Sequence, residues 1–151
     1  MRANLSVVPT TANELEAQLK RPRTSKKLDT LVEEIKRTPK YIHWVMVKKP
    51  NKFLLLDVDG IVCIESQGNY VRVHHEGGSH LLRETISSLE EQLNPREFLR
   101  IHRSTIVQIG WIKELQRWFN GNYLVTMKNG MQLTLTRNYR ANFRKAIYSS
   151  L

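Results

Sequence analysis

Beyond residue 43 the apolar and polar residues alternate in short runs. Tyr70-Val71-Arg72-Val73-His74 is the clearest case. Val71 and Val73 fall on one face and Tyr70, Arg72 and His74 on the other, the period of two that marks a strand. Runs at 44–47, 53–56, 61–65, 80–82, 112–118, 123–127 and 131–135 also read as short strands, with Met131, Leu133 and Leu135 on the opposite face from Gln132 and Thr134 in the last. Turn chemistry separates them. Asp57-Val58-Asp59-Gly60, Ser66-Gln67-Gly68-Asn69, Glu76-Gly77-Gly78-Ser79 and Phe119-Asn120-Gly121-Asn122 all punctuate the pattern. Gly68 can take a positive φ there. Lys128-Asn129-Gly130 is the strongest hairpin signal in the chain. Residues 98–108 are two strand-like runs split by a polar break, His102-Arg103-Ser104.

The spacing changes to helical in three places. Ile86, Leu89 and Leu93 predict a short helix, with Thr85 as its cap and Ser87 with Glu90 resembling a capping box. Asn94-Pro95 stops it. A helix from about residue 137 to 149 follows the cap Thr136. Tyr139, Phe143, Ala146 and Ile147 face inward, and Arg137, Arg140, Arg144 and Lys145 face outward. Residues 13–37 predict an interrupted helix: Asn13 caps a first piece and Pro22 breaks it. A second piece, 27–37, carries a stripe of Leu28, Leu31, Val32 and Ile35. That stripe packs either on the following domain or on a second copy. The expected organisation is an N-terminal helical extension, 1–43, and a mostly β domain, 44–148, of small antiparallel sheets with two short helices. No strand–long helix–strand rhythm supports a doubly wound sheet.

Composition changes this picture little. Of 151 residues, 40% are hydrophobic and 25% charged, as in ordinary globular chains. The single cysteine, Cys63, excludes an intrachain disulfide and suits a reducing, cytoplasmic compartment. No apolar run reaches the ~20 residues a membrane helix needs, and no signal-peptide core follows Met1-Arg2.

Charge changes it more. The formal net charge is +10, unevenly spread. Residues 100–151 carry nine Lys or Arg against Glu114 alone, whereas 50–99 carry four bases against eight acids. The asymmetry points to a polyanionic partner meeting one face. Arginine's rigid fork matches guanine O6 and N7, and also clamps phosphate. Arg103 sits in a tight loop and Arg137 at a helix start, where a cation fits the dipole poorly. Surface ion pairs are the plain alternative for both. Asn69 can pair with an adenine edge or simply serve its turn. His102 can contact phosphate, orient Arg103 or pack. Lys113, Arg117, Arg140, Arg144 and Lys145 are candidate backbone contacts.

Enzyme and metal chemistry find no support. There is no phosphate-cradling glycine loop and no nucleophile elbow. His74 and His75 are neighbours pointing oppositely, and Cys63 has no partner at zinc-site spacing. No catalytic residue, metal or cofactor is expected.

Three motifs in order carry a family resemblance: Ile64-Glu65-Ser66-Gln67-Gly68-Asn69-Tyr70-Val71, Phe98-Leu99-Arg100-Ile101-His102-Arg103-Ser104, and Leu133-Thr134-Leu135-Thr136-Arg137-Asn138-Tyr139-Arg140. Residues 44–148 resemble the LytTR domain, the DNA-binding domain of LytR/AlgR-type bacterial response regulators. Gln108 stands where that family more often has asparagine. The resemblance implies an elongated, mostly β fold with its small sheets in line. It implies major-groove binding through loop side chains, with Asn69, Arg103 and Arg137 at the base-contacting positions. The expected activity is therefore sequence-specific binding of double-stranded DNA at paired or repeated sites, and regulation of transcription. A receiver domain usually precedes LytTR, and residues 1–40 are too short to be one. They are expected to form a homodimer contact or to meet a separate regulatory protein. Two other readings compete. An RNA-binding module would stack bases on Tyr70, Trp111, Trp118, Phe119 or Tyr123. A non-DNA-binding interaction protein of the same fold would need neither Arg103 nor Arg137.

Overall fold

In the computed structural model, residues 26–37 and 40–149 are described. They fall into two units, divided after Lys40.

In the first unit, α1 (Lys26–Arg37) is a three-turn amphipathic helix with Asp29 in its first turn, where an acid suits the dipole. Leu28 and Leu31 are exposed and Val32 half-buried. The expected first helical piece and its cap, Asn13, lie outside the described residues.

The second unit has ten strands in three antiparallel sheets. The first is the hairpin β1 (Trp44–Lys49) and β2 (Lys52–Asp57). Its alternation is strict: Val45, Val47 and Leu56 are buried, and Trp44, Met46, Phe53 and Leu55 are exposed. The central sheet has five strands: β3 (Ile61–Gln67), β4 (Tyr70–His75), β5 (Gly78–Leu82), β6 (Phe98–His102) and β7 (Thr105–Gln108). Their order is β5-β4-β3-β7-β6. The third sheet places β9 (Tyr123–Met127) between β8 (Ile112–Arg117) and β10 (Gln132–Leu135). Helix α2 (Ile86–Gln92) links β5 to β6, and α3 (Arg137–Ser149) follows β10.

The central sheet is covered on both faces. On one, Ile64, Val71, Val73 and Ile106 meet Val45 and Val47 of β1 and Ile86, Leu89 and Leu93 of the α2 segment. On the other, Val62, Cys63, Ile101 and Val107 meet Val125, Met127, Leu135 and Phe143. Irregular pairing in β3, between Ile61 and Cys63, brings Val62 and Cys63 into the same core. Burying an aliphatic side chain of this size contributes about 1.5–3 kcal/mol, so burial in the two cores holds the three sheets together.

Two helix caps differ from expectation. Thr85 does cap α2, its hydroxyl accepting from the Ser88 amide at 3.0 Å. Ser87 and Glu90 form no capping box, because both lie inside the helix and the Glu90 carboxylate accepts from Arg100 Nη1 at 2.8 Å. Thr136 does not cap α3 with its side chain. Its hydroxyl donates to the Ile101 carbonyl, and Asn122 Oδ1 from the preceding loop accepts from the Arg137 amide at 3.0 Å. Three single turns, Val58–Gly60, Ile109–Trp111 and Phe119–Gly121, close as 3-10 helix.

Candidate nucleic-acid interface

Two turns emerge at the same end of the central sheet. Gly68 and Asn69 join β3 to β4, with Gly68 at φ 63°, which a residue with a side chain takes only at a cost. Arg103 and Ser104 join β6 to β7. Because β3 pairs with β7, the Ser66 amide donates to the Ser104 carbonyl at 2.8 Å, and Glu65 stands opposite Thr105. The two tips are therefore neighbours. The start of α3 joins them. The Thr136 amide donates to the Ile101 carbonyl at 3.0 Å, two residues before Arg103. Asn69, Arg103 and Arg137 are all exposed.

Each tip is braced from within its sheet by an arginine that the sequence reading left unassigned. Arg72 of β4 donates from Nε to Gln67 Oε1 (3.0 Å) and from Nη1 to Ser79 Oγ (3.2 Å), behind the Asn69 turn. Arg100 of β6 donates from Nε to the His102 carbonyl (3.1 Å) and from Nη2 to the Arg103 carbonyl. Its third contact is the Glu90 pair. Only a planar fork of five donors reaches three acceptors in this way. The signal in the sequence was an arginine three positions from each tip residue, Arg100 before Arg103 and Arg72 after Asn69.

His102 Nδ1 lies 3.1 Å from the Ser104 amide and 2.8 Å from its hydroxyl. Accepting from that N–H leaves the ring proton on Nε2, so Nε2 is the donor His102 can offer to a partner. Gln108 is buried at the far end of β7, where its carboxamide, with NH2 inward, donates to the Asp59 carbonyl at 3.1 Å. Glutamine here ties β7 to the 58–60 turn rather than shaping the interface.

Along α3, Arg137, Arg140 and Arg144 recur at i, i+3 and i+7 and form a stripe. All three are exposed, as is Lys145 one position round. Arg140 Nη1 also reaches the Gly121 carbonyl at 3.4 Å. The first turn of α3 holds no acid, so the cationic end of the dipole and Arg137 reinforce each other, an arrangement that favours an anion. Lys113 and Arg117 are exposed on β8. Leu115 between them lines a groove with Phe143, Arg144 and Ile147. Of the aromatics considered for base stacking, Trp111 and Tyr123 pack against the second core. Tyr70, Trp118 and Phe119 are exposed, and the last two are in edge contact at 4.9 Å.

Comparison with known proteins agrees with this architecture. The family model described as the LytTr DNA-binding domain matches residues 51–148. Over 101 residues, 67% of this chain and 41% of the relative, the sequence is 32% identical to the transcriptional regulatory protein LytR of Staphylococcus aureus strain N315. Over 106 residues, 70% of this chain and 44% of the relative, it is 27% identical to the sensory transduction protein LytT of Bacillus subtilis strain 168. The chain thus matches less than half the length of these relatives. A solved LytTr DNA-binding domain of a methyl-accepting/DNA response regulator from Bacillus cereus has the same fold, with TM-score 0.65 at 23% identity. It covers 70% of this chain, and 97% of its own length is matched. LytTR proteins are DNA-binding transcriptional regulators, not enzymes. This chain belongs to the LytTR DNA-binding domain family.

Proposed function

We propose that this protein regulates transcription by reading a specific double-stranded DNA sequence, with loop side chains entering the major groove. Asn69, Arg103 and Arg137 are the base-contacting residues. His102, through Nε2, and Lys113, Arg117, Arg140, Arg144 and Lys145 contact the backbone. The observation that carries this reading is the meeting of three tips through two backbone hydrogen bonds, Ser66 to Ser104 and Thr136 to Ile101. Such a cluster presents one acceptor-donor amide and two arginine forks to one stretch of duplex. Two copies acting on paired sites suit the α1 stripe, which serves as a dimer contact or meets a separate regulatory protein. In this reading residues 1–43 are the regulatory extension and 44–148 the DNA-binding domain.

The test is a titration against a duplex selected from a random library, against its scrambled counterpart and against a folded RNA, at several salt concentrations. Arg103→Ala should weaken the selected duplex by roughly 1–3 kcal/mol, the worth of one good bidentate base contact. The scrambled duplex should lose much less. Arg144→Ala should weaken all duplexes alike and reduce the salt slope by about one. Equal losses for Arg103→Ala on both duplexes would make it a backbone contact. Tighter binding to the RNA at matched salt would replace the duplex reading altogether.

A further inference from the structure

Cys63, Glu65 and His74 converge on the face of the central sheet that meets the second core. Cys63 and Glu65 are alternate residues of β3, so their side chains share a face. His74 of β4 stands directly opposite Cys63 in the strand register. Cys63 Sγ, a Glu65 carboxylate oxygen and a His74 ring nitrogen all lie within 4.8 Å of one another. His74 Nε2 and Glu65 Oε1 are 3.1 Å apart. Two ligands bound at about 2.05 Å to a tetrahedral ion stand roughly 3.3 Å apart, so these two atoms already have the spacing of a coordination edge. The thiol is fully buried, but the Glu65 and His74 side chains are 37% and 20% exposed, so the cluster opens to solvent. A second soft atom, Met131 Sδ, lies 3.9 Å from Cys63 Sγ.

We propose that Cys63 Sγ, His74 Nε2 and Glu65 Oε1 form a binding site for a thiophilic divalent cation of the zinc class, with the fourth position open to water. The donor set matches the borderline-soft preference of that ion for thiolate, imidazole and carboxylate. Sequence spacing could not reveal it, because His74 reaches Cys63 only through the β3–β4 pairing. Binding replaces the S–H bond by a sulfur–metal bond and releases that proton to solvent. It also replaces the His74–Glu65 contact by one bond from each to the ion, with the imidazole proton moved to Nδ1. Burial, and then the charge of Glu65, push the Cys63 thiol up to about 12. The ion would cross-link the two strands that end in the Asn69 turn. The inference stands on this geometry alone and is independent of the proposed DNA contacts.

The experiment is a Co(II) titration of the reduced full chain, followed by displacement with Zn(II). Since the chain has one cysteine, a thiolate-to-cobalt charge-transfer band reports Cys63 alone. The expected result is that band at one equivalent, with the visible bands of four-coordinate cobalt, both removed by Zn(II). Cys63→Ala should abolish the charge-transfer band. His74→Gln, at a partly exposed position outside the two cores, should weaken Co(II) binding by at least about tenfold, since even the loss of an outer-shell partner of a ligand costs about that much. Zn(II) should raise the melting temperature of the wild type and raise that of His74→Gln by less at the same concentration. The absence of a charge-transfer band in the folded wild type would overturn the proposal. So would a band of undiminished affinity in His74→Gln.

Discussion

Arg100 shows how one side chain can stiffen a tip it does not belong to. It gathers the carbonyls of His102 and Arg103 and the Glu90 carboxylate around a single guanidinium. Lysine keeps the charge but is a point donor on a flexible stem. Arg100→Lys should therefore leave the fold intact and weaken DNA binding severalfold, with the melting temperature and duplex affinity measured side by side. Affinity equal to wild type would show that the β6–β7 turn needs no brace. His80 of β5 offers a different test. Its Nδ1 is buried without a hydrogen-bond partner among the described residues. Burial, with Lys49 and His75 nearby, holds its imidazole below the ordinary 6.5. A base whose pKa is lower in the folded state binds more protons when unfolded. Its contribution is fully present above about pH 6.5 and is lost as pH falls toward the folded value. Denaturant unfolding at several pH values should show a shallower acid loss for His80→Gln than for the wild type. Parallel curves would assign the acid sensitivity to other groups.

At the scale of elements, α3 matters most, because it carries the arginine stripe and closes the second core with Phe143. Its N-terminus is held by the Asn122 side chain from outside the helix and by Thr136 bonding to Ile101 of β6. The polar loop 119–122 makes this possible: Asn120 at φ 55° and Gly121 at φ 79° turn the chain so that Asn122 meets the Arg137 amide. Removing a cap of this kind costs about 0.5–2 kcal/mol. Asn122→Ala should lower unfolding free energy by that amount and loosen the first turn, seen as faster amide exchange at Arg137. Unchanged exchange there would mean that the Thr136–Ile101 tie alone holds the helix start. The Trp118–Phe119 contact occupies the same loop, so its exposed rings belong to the connection between β8 and β9.

At the scale of the molecule, the division after Lys40 separates α1 from the unit whose described residues form both cores. A chain of residues 41–151 should unfold cooperatively with a melting temperature close to that of the full chain. It should bind a single site with unchanged affinity and lose cooperative occupancy of paired sites, because the Leu28, Leu31, Val32 and Ile35 stripe is gone. Sedimentation and site titration together check this. Cooperativity that survives the deletion would move the contact between copies into the LytTR domain. Charge acts at this scale too: in the proposed function the net +10 would draw any duplex toward the protein and leave discrimination to the proposed base contacts.

Much of this was legible in the chain itself. Alternation at 70–74 and the Asn129-Gly130 turn are local, and local backbone preference plus one buried face leaves few alternatives to a strand and a hairpin. The helical stripe of Tyr139, Phe143 and Ile147 identified which side of α3 is buried for the same reason. The motifs at 64–71, 98–104 and 133–140 identified the family. What the sequence did not contain was which segments lie side by side. The strand order β5-β4-β3-β7-β6 places β7 against β3 across some forty residues. Only that pairing makes Asn69 and Arg103 neighbours. The Thr85 cap was read correctly, but the Ser87–Glu90 capping box and the Thr136 cap were misread, because a hydroxyl or carboxylate near a helix start takes whichever partner tertiary packing offers. Thr136 found Ile101, and Glu90 found Arg100. Cys63 looked solitary because its neighbour, His74, arrives by register, and a shift of one residue would have turned it to the opposite face.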